Sequence, residues 1–148
     1  MDDDPVYYSN VQDILDDSGI QPVDIGFKGT DDLTPEKQLE AKIVKWLVSA
    51  KSYVDSTSNR DFHDELQNGI IAAIPVCIHD IARRATINMV NSAKLNRKSP
   101  VIKVNDYSVK PVTDNPMTSD ILADLERCIS VINEDPGEKV AFNISSII

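Results

Sequence analysis

The chain has 148 residues, 41% of them hydrophobic and 26% charged, and a formal net charge of −9. That length fits one domain able to bury a real core. Its longest uncharged apolar run, Ile70 to Ile78, is interrupted by Pro75 and too short to span a bilayer, and a net-acidic chain is a poor general binder of nucleic acid, which needs clustered cations.

Charge is spread unevenly. Residues 1–65 hold 15 acids against 6 bases, whereas residues 66–148 hold 9 of each. Between Arg83 and Lys110 there are seven bases and one acid, Asp106. An acidic half and a basic run on one chain suit a head-to-tail contact between copies. They equally suit a solvated surface of uneven charge.

In chain order, residues 1–8 read as a mobile acidic tail, because Met1 is followed by Asp2, Asp3 and Asp4. Nothing there resembles an export leader. Ser9 and Gln12 fit a capping box that opens a short helix through Val11, Ile14 and Leu15, and Gly19 is placed to end it in a left-handed turn. Residues 20–33 read as a loop with a brief extended piece at Val23, Ile25 and Phe27.

Thr34-Pro35-Glu36 combines a cap, a proline at the first helical position and an acid in the first turn. Leu39, Ile43, Trp46 with Leu47, Ala50 and Val54 then mark one face of a helix reaching about Asp55. Residues 56–61 break it. From Asp64 to about Asn91, Leu66, Ile70, Ile74, Cys77, Ile81, Ala85 and Met89 recur at steps of three and four. Ile71, Val76, Ile78 and Ala82 widen that stripe, so a nearly enclosed central helix is expected, kinked at Pro75. It should lie antiparallel to the preceding helix and share Trp46, Leu47, Ile70 and Ile74 with it.

After Lys98 the period changes to two. Val101–Val104 and Tyr107–Lys110 flank Asn105-Asp106 as the arms of a hairpin within residues 99–112. Pro111 to Pro116 is a linker. Thr118 or Ser119 caps a helix over 118–134, with Ile121, Leu122, Leu125, Cys128, Ile129 and Ile132 on one face, and Asp135-Pro136-Gly137 stops it. Residues 138–148 close the chain, with Val140, Phe142 and Ile144 alternating as in a strand. That strand either joins the hairpin of its own subunit or augments a sheet in a neighbour, and the second is the preferred reading.

Candidate chemistry is sparse. Cys77 and Cys128 both fall on apolar helix positions and read as two small buried hydrophobes rather than a disulfide, so a reducing compartment is expected. A buried thiol is shielded, which disfavours Cys77 as a nucleophile. His79-Asp80 invites comparison with metal-dependent phosphohydrolases, with His63 and Asp106, Asp120 or Asp124 as further ligands. His63 opens the same helix, which makes convergence difficult, and an exposed polar stripe accounts better for His79. The sequence carries no CxxC pair, HExxH, phosphate-cradling glycine loop or GxSxG elbow. Arg83, Arg84, Arg97 and Lys98 form a patch that could touch phosphate but better suits solvent or a partner.

The order of parts resembles a known family. A short capped helix, a helix ending in AKSYVDSTSNRDF (residues 50–62) and a long apolar helix ending in Arg83-Arg84 look like the head–tail connector, or adaptor, proteins of long-tailed bacterial and archaeal viruses. The likeness is strongest over Leu39–Asn91. Tyr53, Asn59-Arg60, Phe62 and Arg83-Arg84 occupy the places where that family has an aromatic helix end, a polar turn with arginine and a basic helix end. The long loop at 20–33 and the strand after Pro136 depart from the family pattern. The resemblance implies a structural virion protein without catalytic residues, cofactor or bound metal. It would form a ring, usually of twelve copies, between the portal and the next neck or stopper protein. DNA would pass through unread, no membrane would be involved, and assembly would occur in the host cytoplasm. The fold expected is mainly α: a single domain, a small helical bundle around one long central helix, with a hairpin and a C-terminal strand. Partner-interface candidates are Arg83, Arg84, Arg97, Lys98, Val140, Phe142 and Ile144. The alternatives are a small helical phosphohydrolase using His79-Asp80 and a helical regulatory module.

Overall fold

A computed structural model describes residues 7–98 and 115–134, without the side chains of Arg97, Lys98 and Glu134. The hairpin at 101–110, Asp106, the terminal strand with Val140, Phe142 and Ile144, and the side chains of Arg97 and Lys98 lie outside the described residues. Within them the chain is helical: α1 (Val11–Ser18), a 3-10 turn (Pro22–Ile25), α2 (Pro35–Ser58), α3 (Phe62–Gln67), α4 (Val76–Lys98) and α5 (Ser119–Glu134). No helix among the described residues is long and apolar enough to cross a membrane.

Local chemistry accounts for the helix ends. Asn10, one residue later than the expected Ser9, caps α1 by accepting from the Asp13 N–H, and Gly19 closes it at φ +67°. The 3-10 turn replaces the expected extended piece because Gln21 and Asp24 form a capping box there and Gly26 ends it in the left-handed region. Thr34 caps α2 through the Lys37 N–H. This helix runs to Ser58, beyond Asp55, and stops where Asn59 turns left-handed at φ +60°, a conformation asparagine tolerates. Thr118 supplies the carbonyl that starts α5, accepting from the Leu122 N–H at 2.9 Å.

The central helix departs most from the periodic reading. A single kinked rod over 64–91 is replaced by α3, a non-helical segment over 68–75, and α4. Gly69 adopts φ +74°, which takes the chain out of the helix. Pro75 does not sit inside a helix but begins one: its carbonyl accepts from Ile78 and His79 N–H at 3.0 and 3.3 Å. Placing Pro75 before α4 avoids the roughly 3 kcal/mol cost of an interior proline. Ile70 and Val76, expected in the core, are 67% and 81% exposed.

Past the proline the expected face is buried: Ile78, Ile81, Ala82 and Ala85 are at most 2% exposed. On α2, Leu39, Ile43, Leu47, Ala50 and Val54 are buried as their spacing predicts, while Trp46 is only partly covered. Helix α4 packs on α1, α2, α5 and the 3-10 turn. Its first half joins Ala50, Val54, Phe62, Ile121 and Leu125 in one apolar cluster. Its second half contributes Val90 to another with Leu39, Ile43 and Leu47. The start of α2 therefore meets the end of α4, so the two lie antiparallel even though α3 and the segment 68–75 intervene between them.

The two cysteines overturn the expectation of separate thiols. Cys77 at the start of α4 and Cys128 on α5 form a disulfide across 51 residues of sequence, with Cα atoms 6.0 Å apart. Periodicity placed each on an apolar face, and only the packing of α4 on α5 brings those faces together. The pairing removes the argument from unpaired cysteines for a reducing compartment. On loop-entropy grounds a bridge closing that many residues stabilises by about 4 kcal/mol. Urea unfolding with and without a thiol reductant is expected to show a loss of that order on reduction. An unchanged midpoint would mean the bridge contributes nothing to stability.

Candidate functional site

Tyr8 is the structural hub of one end of the molecule. By sequence it belongs with the acidic tail, yet it is fully buried. Its backbone is left-handed at φ +68°, which costs a bulky residue on the order of 1–2 kcal/mol and persists only where the surroundings compel it. Those surroundings are specific. The Tyr8 hydroxyl donates to Asp55 Oδ1 at 2.6 Å and accepts from the Phe62 N–H at 2.8 Å. Its ring meets Phe62 edge to face, with centroids 6.0 Å apart, and Lys51 Nζ lies over it at 5.2 Å. Its carbonyl faces His79 Nδ1, so that nitrogen carries the hydrogen and donates. Lys51 also bridges Asp55 and Asp61, the latter at 3.2 Å.

The electrostatics follow the same contacts. Burial, reinforced by the hydrogen bond to Asp55, pushes the Tyr8 phenol well above its ordinary range. Desolvation pulls Lys51 down, but its hydrogen bonds and charge attraction to Asp55 and Asp61 outweigh it and leave the ammonium raised. Asp61 is lowered first by the Asp64 N–H that it caps, then by Lys51.

The next turn is clamped as firmly. Arg60 holds Glu65 through two bonds of 3.0 and 2.7 Å, reaches Asn133 on α5 at 3.0 Å and lies 4.7 Å over the Phe62 ring. Tyr53, by contrast, is partly exposed on α2 and lines a shallow cleft with Trp46 and Met89.

The nominated charges do converge, but on one another. Asp80, Asp120 and Asp124 all surround Arg84, at 3.6, 3.4 and 2.7 Å. Arg84 lowers Asp124, with Arg127 assisting, while Asp120 is lowered first by the Thr118 hydroxyl. Arg83 pairs with Asp80 on its own helix and with Asp17 of α1 at 3.1 Å. Both arginines thus tie α4 to its neighbours, and Asp17 brings part of the acidic half of the sequence into contact with the basic run inside one chain. His63 stands apart from this group, its backbone N–H 3.4 Å from the Tyr8 hydroxyl. No group of three or more His, Cys, Asp or Glu among the described residues is arranged to hold a metal ion.

Beside the hub lies a cleft of about 750 Å³. One wall is polar, with Asn10, Asp13, His79 and Arg83, and the other comes from Leu66 and the apolar segment ending in Ile74 and Val76. The sequence reading missed Tyr8 and this exposed apolar segment. A signal for Tyr8 existed: two adjacent tyrosines in a chain with only 5% aromatics do not suit a solvated tail. Comparison with protein-family models, curated proteins and solved structures yields no match.

Two variants give three tests of these contacts. Tyr8→Phe leaves the Phe62 N–H and Asp55 without their hydroxyl partner, and is expected to cost about 1–3 kcal/mol in urea unfolding. Raised folded values for Tyr8 and Lys51 give stability present below about pH 10 and lost as pH rises further, so Tyr8→Phe should also flatten the alkaline limb. An equally steep limb would place the ionisation elsewhere. Arg84→Ala leaves Asp120 without its Arg84 partner and Asp124 with Arg127 alone. Both carboxyls are held below their ordinary value in the folded chain, so the variant's stability deficit at neutral pH is expected to shrink as pH falls below about 4, which a pH series of thermal melts reads directly.

Proposed function

We propose that this chain is a structural subunit, a head–tail connector of a tailed virus, acting by assembly rather than by catalysis. The observation carrying this reading is the use of its polar groups. His79 binds the Tyr8 carbonyl, Asp80 lies between two arginines, and Arg83 and Arg84 join α4 to α1 and α5. His79, Arg83, Arg84, Asp120 and Asp124 thus hold one element to another, and Asp80 steadies both arginines from within α4. The largest exposed side chains of the segment beside them, Ile70 and Val76, are apolar, and contiguous exposed apolar surface marks contact sites.

The turn on which the family resemblance rests is also built as a rigid junction. Asn59 reverses the chain, Arg60 grips Glu65 and Asn133, and Phe62 is buried against Tyr8. In this reading the subunit is a helical bundle around α4, completed by the hairpin at 101–110 and the arm at 138–148. Copies form a ring between portal and stopper in the virion neck, with DNA passing through. Arg97, Lys98, Val140, Phe142 and Ile144 are the remaining candidates for its contacts. Arg83 and Arg84 are less available, because an outside partner would have to compete with Asp17, Asp80 and Asp124. The phosphohydrolase reading is weakened by the engagement of both His79 and Asp80 in holding the fold.

The test is co-expression with the portal protein encoded by the same genome, followed by native mass spectrometry and electron microscopy. A ring of this chain seated on the portal is expected, usually twelve copies by the family pattern. A portal that remains bare beside a monomeric or dimeric chain overturns the proposal.

A further inference from the structure

The segment Gly69–Ile78 contains no charged residue. Ile70 and Val76 are among the most exposed large hydrophobic side chains, and Ala72 and Ala73 between them are exposed too. Its base is rigid, since the Glu65 carbonyl accepts from the Ile70 and Ile71 N–H groups at 2.8 and 3.4 Å. An apolar loop so firmly presented, with a cleft of about 750 Å³ at its side, requires an account of what covers it.

The course of the chain supplies one. Helix α5 delivers its last turn to this loop: Asn133 binds Arg60, Arg60 binds Glu65, and Glu65 holds the loop. Ile132 packs on the same cluster as Leu66 and Ile71. Fourteen residues follow Glu134, and the nine from Val140 to Ile148 include Val140, Phe142, Ile144, Ile147 and Ile148 with no charged side chain. At about 3.3 Å per residue, Phe142 can reach roughly 26 Å from Glu134.

We propose that residues 138–148 of the same chain dock on the loop 69–76 and the cleft beside it, with Phe142 as the main apolar anchor. The neighbouring wall of Asn10, Asp13 and His79 offers polar partners for the backbone and for Asn143 or Ser145. A segment tethered this closely has an effective concentration in the millimolar range, so it outcompetes the same segment of another copy at ordinary protein concentrations. The proposal does not rest on the connector reading; where both hold, Ile70, Val76 and Phe142 cover one another within the chain and the ring contacts fall to other residues, Arg97 and Lys98 among them.

Hydrogen exchange read by mass spectrometry tests it on the full chain, on Phe142→Ser and on a deletion of 138–148. Backbone amides of 70–76 are expected to exchange about tenfold faster in both variants than in the full chain. Those of α2 from 39 to 54 should be unchanged in Phe142→Ser, which separates local uncovering from global loss of structure. If the deletion does not fold, Phe142→Ser decides alone. Equal exchange in the full chain and Phe142→Ser overturns the proposal. So does protection that vanishes on dilution as the mass falls to one copy, because the cover would then belong to a second molecule.

Discussion

The buried hydroxyl of Tyr8 is the contact on which the surrounding architecture depends. It links Asp55 near the end of α2 to the first N–H of α3, while the Tyr8 carbonyl holds His79 on α4. Three helices, contacted 47, 54 and 71 residues along the chain from Tyr8, thus share one residue. A neutral phenol suits the position: it donates to a carboxylate and accepts from a backbone N–H, so neither group is left unpaired in a water-poor interior. The left-handed backbone at Tyr8 is tolerated because these bonds and the Phe62 contact jointly determine it.

A second organising feature is the inward use of charge. The chain is strongly acidic in sequence, yet Asp17, Asp80, Asp120 and Asp124 gather around two adjacent arginines and fasten α1 and α5 to α4. These partly exposed pairs contribute modestly one by one, but they set which faces of the helices meet. With the Cys77–Cys128 bridge beside Arg84, α5 is held to the start of α4 by covalent, ionic and apolar contacts at once.

Much of the fold was legible in the residues. The Thr34-Pro35 start, the apolar face of α2 and the face Ile78–Ala85 of α4 follow from local capping rules and a 3.6-residue period. The candidate surface was less so. The apolar residues from Leu66 to Val76 keep helical spacing, and periodicity alone cannot tell a proline that kinks a helix from one that begins it. Gly69 was the available cue, since its freedom at positive φ lets the chain leave α3 before Pro75.

By itself, then, the sequence determined where α2 starts, that Leu39, Ile43, Leu47, Ala50 and Val54 of α2 and Ile78, Ile81, Ala82 and Ala85 of α4 face inward, and that the chain is mainly helical. Those properties depend on neighbours three or four residues away. The tertiary structure decided the rest: that Tyr8 is a plug rather than a tail, that Cys77 meets Cys128, that three aspartates converge on Arg84, and that Ile70 and Val76 face outward. Each of those outcomes depends on which helix faces pack together, and the period of one helix carries no information about the neighbour it meets.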